Sequence, residues 1–210
     1  MLGFILTLCF HVSENTFSPS GITSNTSAPI RTSHSTSLPP TDPIVHCISQ
    51  RALSFQGYDT PLSHLEPLQL VRYLPSQYYH HHTDWFTSPV HSSTKLGGNR
   101  LTSFFIYIKV SDGTIGGGTN FPRLEPLADE KWCEKGWVDC DEEWERGVTF
   151  RAVEGNGVFW VNLVDGGDGR RYGDERVLHA GVPVVRGQKV GMNIWTREDP
   201  LMRLSGGLHR

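Results

Sequence analysis

The second half of the chain is patterned as short strands separated by glycine-rich turns. The strongest strand prediction is 101–110, an almost continuous apolar and aromatic run that ends just before Asp112-Gly113. Further short apolar or alternating segments are found at 68–73, 148–153, 157–163, 176–179 and 189–195. Several short strands with glycine turns favour an antiparallel sandwich or a jelly roll.

One helix is predicted in front of these strands. After Asp42-Pro43, apolar residues recur at helical spacing, and Gln56-Gly57 ends the pattern. Residues 13–44 are rich in Ser, Thr and Pro without periodicity, which predicts loop or disorder before the helix. The predicted fold class is therefore mainly β with a flanking helix (α+β).

The length of the chain allows a single folded domain, and its charge argues against nucleic-acid binding. The 210 residues are enough for one domain with a sizeable core and some extra segment. The formal net charge is −3. No broad basic field exists, so the sequence predicts no nucleic-acid partner.

The first ten residues are apolar and have no Lys or Arg among them. This run is too short to span a bilayer. It fits a weak signal peptide, a buried first strand or a truncated start, and these alternatives stay open, as does membrane association. Asn25-Thr26-Ser27 is a glycosylation sequon that matters only in a secreted chain.

The four cysteines form no CxxC pattern. Cys133 and Cys140 are close enough to pair within one loop, or they are two free thiols. They lie in the acidic, Trp-rich segment 123–146, which is either a functional loop or a solvated excursion with a small helix at 141–146. A local disulfide would fit an oxidising compartment, and we expect the endoplasmic reticulum or secretory pathway.

Two distant segments carry candidate metal ligands. In a strand, His82 and Asp84 point to the same side, and His81 to the other. Together with His179 they form two imidazoles and one carboxylate, the facial triad of non-haem Fe(II) oxygenases. Each signal alone is weak, because a surface His tract or a structural His is the commoner explanation. Lys189, ten residues after His179, supplies a cation that suits a carboxylate.

Three blocks of residues keep fixed spacings around these candidates. The first contains Tyr73, Gln77, Tyr79, His82 and Asp84. The second contains Arg100, Tyr107 and Ile108, with Ser103 where Thr is usual, and then Gly116, Gly117, Gly118, Thr119, Asn120, Phe121 and Pro122. The third contains His179, Gly181, Pro183, Val184, Gly187, Lys189 and Trp195. Over residues 31–197 the chain resembles the prolyl 4-hydroxylase-like group of Fe(II)/2-oxoglutarate dioxygenases.

The resemblance implies a double-stranded β-helix (jelly roll) that holds Fe(II) between its sheets. His82, Asp84 and His179 would be the iron ligands. Lys189 and Thr119 would bind the distal carboxylate of 2-oxoglutarate, Tyr73 would hydrogen-bond this cosubstrate, and Trp195 would line the pocket. Plain core packing is the alternative for Tyr73 and Trp195. We expect a structural salt bridge from Arg100.

The resemblance further implies a dioxygenase that uses O2 to hydroxylate prolyl residues of a peptide or protein, with L-ascorbate as a reductant. It suggests a fungal-type member with a shortened N-terminus. The expected organisation is a poorly defined segment at 1–30, the dioxygenase domain at 31–197 and a tail at 198–210. Gly118 and Val190 depart from the family's usual Glu and Trp. The alternative function is a degenerate, non-catalytic jelly-roll binding module.

Overall fold

A computed structural model describes residues 16–20, 22–23, 29–57, 59–125, 131–142 and 146–202. The described helices are α1 (Pro43–Gln56) and the one-turn α2 (Lys131–Glu134). The strands, in chain order, are β1 (Ser18–Pro19), β2 (Ile22–Thr23), β3 (Pro29–Arg31), β4 (His34–Ser37), β5 (Gln69–Tyr73), β6 (Tyr79–His82), β7 (Arg100–Val110), β8 (Ile115–Gly116), β9 (Thr119–Phe121), β10 (Val148–Phe150), β11 (Gly157–Val161), β12 (Leu163–Asp165), β13 (Arg171–Gly173), β14 (His179–Gly181), β15 (Val184–Arg186) and β16 (Lys189–Arg197).

Most of these strands form two antiparallel sheets of six strands each. The first sheet has the order β1-β4-β5-β16-β7-β11, and the second has the order β10-β9-β14-β6-β3-β2. Two short pairs, β12–β13 and β15–β8, lie outside them. The central neighbours, β16 beside β5 and β7 and β14 beside β6, are distant in sequence, as in a jelly roll. The predicted mainly β fold with one flanking helix is confirmed.

Helix α1 covers the outer face of the first sheet. Asp42 caps its start by accepting hydrogen bonds from the backbone N–H groups of Ile44 and Val45, and Gly57 ends it in the left-handed conformation. Its buried side packs against alternate residues of the sheet. One core cluster comprises Leu38, Val45, Ile48, Ala52, Leu53, Leu65, Leu68, Leu70, Met192 and Ile194.

The other face of the first sheet packs towards the second sheet. A second core cluster, rich in aromatic residues, comprises Val71, Tyr73, Phe105, Tyr107, Phe121, Trp160, Val177 and Val184. Because strand residues alternate between faces, Met192 and Ile194 of β16 face the helix, whereas Lys189 and Trp195 face the space between the sheets. This alternation places Lys189 and Trp195 between the two sheets.

The prediction of loop or disorder for residues 13–44 was wrong at the strands β1 to β4, whereas residues 32–33 and 38–42 are loop or turn. β4 consists of polar residues only and β3 has a single apolar side chain beside Pro29 and Arg31, but β3 joins the second sheet beside β6 and β4 joins the first beside β5. Hydroxyl groups there find backbone partners; for example, Thr32 Oγ1 accepts from Tyr78 N at 3.0 Å. Composition missed these strands because sheet pairing and such hydrogen bonds outweigh the low apolar content.

Three strand predictions were too long, and one of them, 157–163, ends at Val161. In the predicted strand 176–179, residues Glu175–Val177 form a 3₁₀ turn and the strand begins at His179. The predicted strand 148–153 ends at Phe150. The predicted helix at 141–146 falls partly outside the described residues, and the described helix of that segment is α2 instead.

Cys133 and Cys140 are joined by a disulfide, with their Cα atoms 5.9 Å apart. The loop that it closes is held to the second sheet by a bridge between Val138 and Phe150. Cys47 is a free, exposed cysteine. Among the described residues, no helix has the length and apolar character needed to cross a membrane.

Candidate metal and cosubstrate site

The antiparallel pairing of β6 and β14 brings the candidate metal ligands together. His82, at the end of β6, lies opposite His179, at the start of β14, and Asp84 follows two residues later. The Nε2 atoms of both histidines lie 3.9 Å from a carboxylate oxygen of Asp84. One ligand atom from each of the three residues lies within 4.8 Å of the others. His81 points elsewhere, with its Nε2 3.2 Å from Asn120 Oδ1.

Backbone carbonyls fix the tautomers of both imidazoles. Nδ1 of His82 lies 2.8 Å from the carbonyl oxygen of His80, and Nδ1 of His179 lies 2.9 Å from that of Val177. A carbonyl only accepts, so each Nδ1 carries the proton and each Nε2 lone pair is free to bind a metal. Burial, together with nearby His179, lowers the pKa of His82 to about 3, so this imidazole is neutral at physiological pH.

Asp84 is buried and held by donors on one oxygen. Ser103 Oγ donates to Asp84 Oδ2 at 2.7 Å, and Trp195 Nε1 donates to the same oxygen at 2.9 Å. Oδ1 receives no such hydrogen bond in the described structure, so it is the oxygen available for a metal. Burial alone raises the pKa of Asp84, but His179, Arg100 and its other neighbours outweigh burial and lower the pKa to about 2. Two imidazoles and a carboxylate fit Fe(II).

A chain of hydrogen bonds fixes the orientation of the Ser103 hydroxyl. Trp160 Nε1 donates to Asn162 Oδ1 at 2.9 Å, and Asn162 Nδ2 donates to Ser103 Oγ at 2.8 Å. Because the hydroxyl oxygen already accepts from Asn162, its proton is directed at Asp84. Sequence analysis did not identify Ser103 or Asn162 as site residues. Ser103 reaches this position only through the pairing of β7 with β16, in which it lies opposite Trp195, so no local sequence pattern marks it.

Arg100 forms the salt bridge expected of it. Its Nε and Nη2 atoms donate to the two oxygens of Glu66, each at 2.8 Å, and Glu66 also accepts from Arg197 at 3.0 Å. The Arg100 guanidinium stacks 3.8 Å above the Trp195 ring and lies 3.7 Å from Asp84 Oδ1. Trp195 is therefore held between Arg100 and Asp84, a tighter constraint than plain core packing.

A cavity of about 350 Å³ opens beside the three candidate ligands. Its lining includes Tyr73, Thr119 and Trp195, as the sequence predicts, and also Arg31 and Phe105. The whole lining is Arg31, Ser37, Glu66, Pro67, Gln69, Tyr73, Tyr79, His82, Asp84, Arg100, Phe105, Thr119, Trp160, His179, Gly181, Asn193 and Trp195. Sequence analysis found no role for Arg31 or Glu66.

Lys189 lies just behind this lining. It is 1% exposed, and its ammonium group lies 4.5 Å from the centre of the Tyr73 ring and 5.2 Å from that of Phe105. It donates to the carbonyl oxygen of Gly117. Burial lowers the pKa of Lys189 to about 7, because no carboxylate of the described residues pairs with it.

The two departures from the family pattern have local structural settings. A Cβ atom at Gly118 would lie 2.8 Å from the carbonyl oxygen of Phe150 and 2.7 Å from Thr149 Cγ2, so the contact with β10 excludes a glutamate there. Val190 packs against the core cluster under α1, on the side of β16 away from the cavity. Neither departure changes the lining of the cavity.

The comparisons with known proteins agree on one family. Residues 68–197 match the family model of the 2OG-Fe(II) oxygenase superfamily. The chain is 30% identical over 157 residues to prolyl 4-hydroxylase 1 of Arabidopsis thaliana, covering 74% of this chain and 48% of the relative. It is 32% identical over 157 residues to prolyl 4-hydroxylase subunit alpha-2 of Gallus gallus, covering 75% and 24%. The chain thus spans half or less of the length of these relatives.

Solved structures extend the similarity to the fold. The viral collagen prolyl hydroxylase of Paramecium Bursaria Chlorella virus-1, in its 2OG complex, aligns with a TM-score of 0.56 at 25% identity. That alignment covers 80% of this chain and 79% of the viral chain. A prolyl-4-hydroxylase of Pseudomonas putida aligns with a TM-score of 0.50 at 17% identity, covering 88% and 78%, which supports the fold alone.

Proposed function

The chain belongs to the 2OG-Fe(II) oxygenase superfamily, and we propose that it is a dioxygenase that hydroxylates prolyl residues of a peptide or protein. Membership brings Fe(II) as the metal, 2-oxoglutarate as the cosubstrate and O2 as the oxidant, and L-ascorbate is typical of prolyl 4-hydroxylases. The proline specificity rests on the relatives, several of which are prolyl 4-hydroxylases. The same relatives disfavour a non-catalytic binding module.

The observation that carries the proposal is the convergence of His82, Asp84 and His179, of which Asp84 and His179 are buried. The two Nε2 atoms and Asp84 Oδ1 would hold the iron, which supplies the site for O2 activation when bound. The protein contributes orientation: backbone carbonyls fix both imidazoles, and Ser103 and Trp195 fix the carboxylate. The aromatic walls limit the access of bulk water to this site.

We assign the distal carboxylate of 2-oxoglutarate to Lys189 and Thr119. Thr119 Oγ1 shares a hydrogen bond with the Tyr107 hydroxyl at 2.7 Å, which leaves it able to accept or donate on the cavity side. The Lys189 ammonium lies against the Tyr73 ring, which lines the cavity, and the Tyr73 hydroxyl would hydrogen-bond the cosubstrate. Trp195 forms part of the wall near the iron site.

We further propose that 31–197 is the catalytic domain, with 1–30 and 198–210 as flanking segments. We place the protein in an oxidising compartment of the secretory pathway. The disulfide between Cys133 and Cys140 supports that compartment, because such bonds persist where thiols are not kept reduced.

The test is succinate release by the purified protein with Fe(II), 2-oxoglutarate and a panel of proline-rich peptides. We expect succinate to form together with a one-oxygen mass increase on a prolyl residue. The variants His82→Ala, Asp84→Ala and His179→Ala should abolish both, whereas the control His81→Ala should retain them because His81 contacts Asn120 instead.

Two results would contradict the proposal. Equal losses in His81→Ala and His82→Ala would refute the assigned ligands. Iron-bound protein that releases no succinate with any peptide, while still binding a peptide, would instead support the non-catalytic module.

A further inference from the structure

Arg31 is a buried cation with an incomplete set of partners. It is 8% exposed and lines the cavity. Its Nε donates to Ser33 Oγ at 2.7 Å, but its Nη2 atom is buried without a hydrogen-bond partner. A buried guanidinium with an unsatisfied donor is costly, so such a group calls for an acceptor that binds from the cavity.

Arg31 lies at the metal end of the cavity. It belongs to β3, which pairs with the metal-bearing strand β6 in the register Arg31 opposite Tyr79. Its guanidinium lies 4.9 Å from the centre of the Tyr79 ring, and that ring stacks on His82 at 3.6 Å. Burial raises the pKa of Tyr73, and the nearby charge of Arg31 acts against that rise, so Arg31 also lies close to Tyr73.

The distribution of buried charge indicates what kind of acceptor fits. Among the described residues, the buried cations are Arg31, Lys189 and Arg197. Arg197 pairs with Glu66, whereas neither Arg31 nor Lys189 has a carboxylate partner in the described structure. Arg31 lies in the second sheet and lines the cavity, whereas Lys189 lies in the first sheet behind the lining residue Tyr73. A dicarboxylate would compensate both.

We propose that Arg31 binds the carboxylate of 2-oxoglutarate that lies next to its 2-oxo group, at the metal end of the cavity. This inference rests on the proposed function, which assigns the distal carboxylate to Lys189. Arg31 would then be a cosubstrate-binding residue that contacts the ligand from the sheet carrying the candidate metal ligands. The two carboxylates of one molecule would be held by two cations from different sheets.

The test is calorimetric binding to the Fe(II)-loaded protein without O2, with 2-oxoglutarate and with 2-oxobutanoate. The second ligand keeps the 1-carboxylate and the 2-oxo group but lacks the distal carboxylate. Arg31→Met should weaken the binding of both ligands by at least about tenfold, the usual loss for a charge-assisted hydrogen bond. Lys189→Met should weaken only 2-oxoglutarate, and Arg31→Lys should recover part of the loss.

Arg72→Met is the matched control. Arg72 is on β5 and its guanidinium lies over the Phe17 ring, away from the cavity, so this variant should bind both ligands as the wild type does. Arg31→Met should remain folded, because replacing an uncompensated buried charge by an apolar side chain relieves desolvation. Its melting temperature without ligand should therefore match or exceed that of the wild type.

Three outcomes would overturn the inference. Affinities of Arg31→Met within about twofold of the wild type for both ligands would remove Arg31 from the cosubstrate site. A loss confined to 2-oxoglutarate would place Arg31 at the distal carboxylate instead. Unchanged ligand affinities with a raised KM for the peptide would assign it to the substrate. If the wild type binds neither ligand, the proposed function itself fails, and that result is distinct from all three.

Discussion

The buried ammonium of Lys189 makes cosubstrate binding dependent on pH. Burial lowers the pKa of Lys189 to about 7, so near pH 7 about half of the molecules carry the charge and above pH 8 few do. A carboxylate ligand binds the charged form, because the charge-assisted hydrogen bond is lost with the proton. Binding at alkaline pH therefore requires protonation of Lys189 first.

The expected size of this effect follows from the pKa. The apparent Kd is multiplied by one plus the ratio of neutral to charged Lys189, which is about 1.1 at pH 6, about 2 at pH 7 and about 11 at pH 8. The wild-type affinity for 2-oxoglutarate should therefore fall about tenfold between pH 6 and pH 8. Lys189→Met should show no such dependence and should bind at least about tenfold more weakly than the wild type at pH 6.

The assay is anaerobic calorimetry of 2-oxoglutarate binding to the Fe(II)-loaded protein across this range. Both carboxylates of the ligand are ionised throughout, and the imidazole of His82, with its pKa lowered to about 3, does not titrate there. Lys109→Met is the matched control, since Lys109 is exposed and pairs with Glu154. A wild-type affinity that is flat between pH 6 and pH 8, or an unchanged affinity in Lys189→Met, would refute the reasoning.

Three further outcomes are expected. Ser103→Ala should lower Fe(II) affinity about tenfold in a metal titration, because Asp84 loses a donor, whereas the neighbouring Thr102→Val should not; equal effects would contradict this. Lys189→Met should raise the free energy of unfolding at pH 6, by about 5 kcal/mol at most. Because the pKa of Lys189 is lower in the folded state, the unfolded chain binds more protons between about pH 7 and 10.5. The stability of the wild type therefore rises with pH in this range, and the advantage of the variant should shrink. An advantage that is as large at pH 10 as at pH 6 would refute this cause. Non-reducing peptide mapping should find Cys133 linked to Cys140, and Cys140→Ser should cost about 2–3 kcal/mol of stability; two free thiols in secreted protein would exclude the bond.

Elements with caps or a long apolar run in their own sequence were predicted correctly. Helix α1 has a side-chain cap at Asp42 and a left-handed glycine at its end, and β7 is a long apolar run, so both were predicted within a residue or two. The strands β3 and β4 were missed because their stability comes from pairing with β5 and β6, which no local pattern of Ser and Thr reports. The 3₁₀ turn before His179 was missed because short apolar runs suit several conformations.

Only those residues of the candidate site that belong to motifs with a fixed internal spacing could be predicted from the sequence. The spacing of His82, Asp84 and His179 within their motifs predicted that they form one metal site. The register of β6 against β14 places them next to each other in the structure. The supporting groups carry no such signal. Ser103 reaches Asp84 only through the pairing of β7 with β16, and Glu66 is recognisable as a partner of Arg100 only in three dimensions.

The cations in and around the cavity are of two kinds: some are paired with a carboxylate of the protein, and others have no carboxylate partner in the described structure. Arg100 and Arg197 share Glu66, so their charges are compensated within the protein, and Arg100 serves to hold Trp195 and Asp84. Arg31 and Lys189 are buried without such compensation, which destabilises the ligand-free protein. A dicarboxylate removes that cost when it binds, so part of its affinity comes from charges that the fold has already buried. A ligand at a hundred times its Kd would stabilise the folded protein by about 2.7 kcal/mol. The same buried charges would discriminate against monocarboxylates, because a monocarboxylate leaves one of the two cations unpaired.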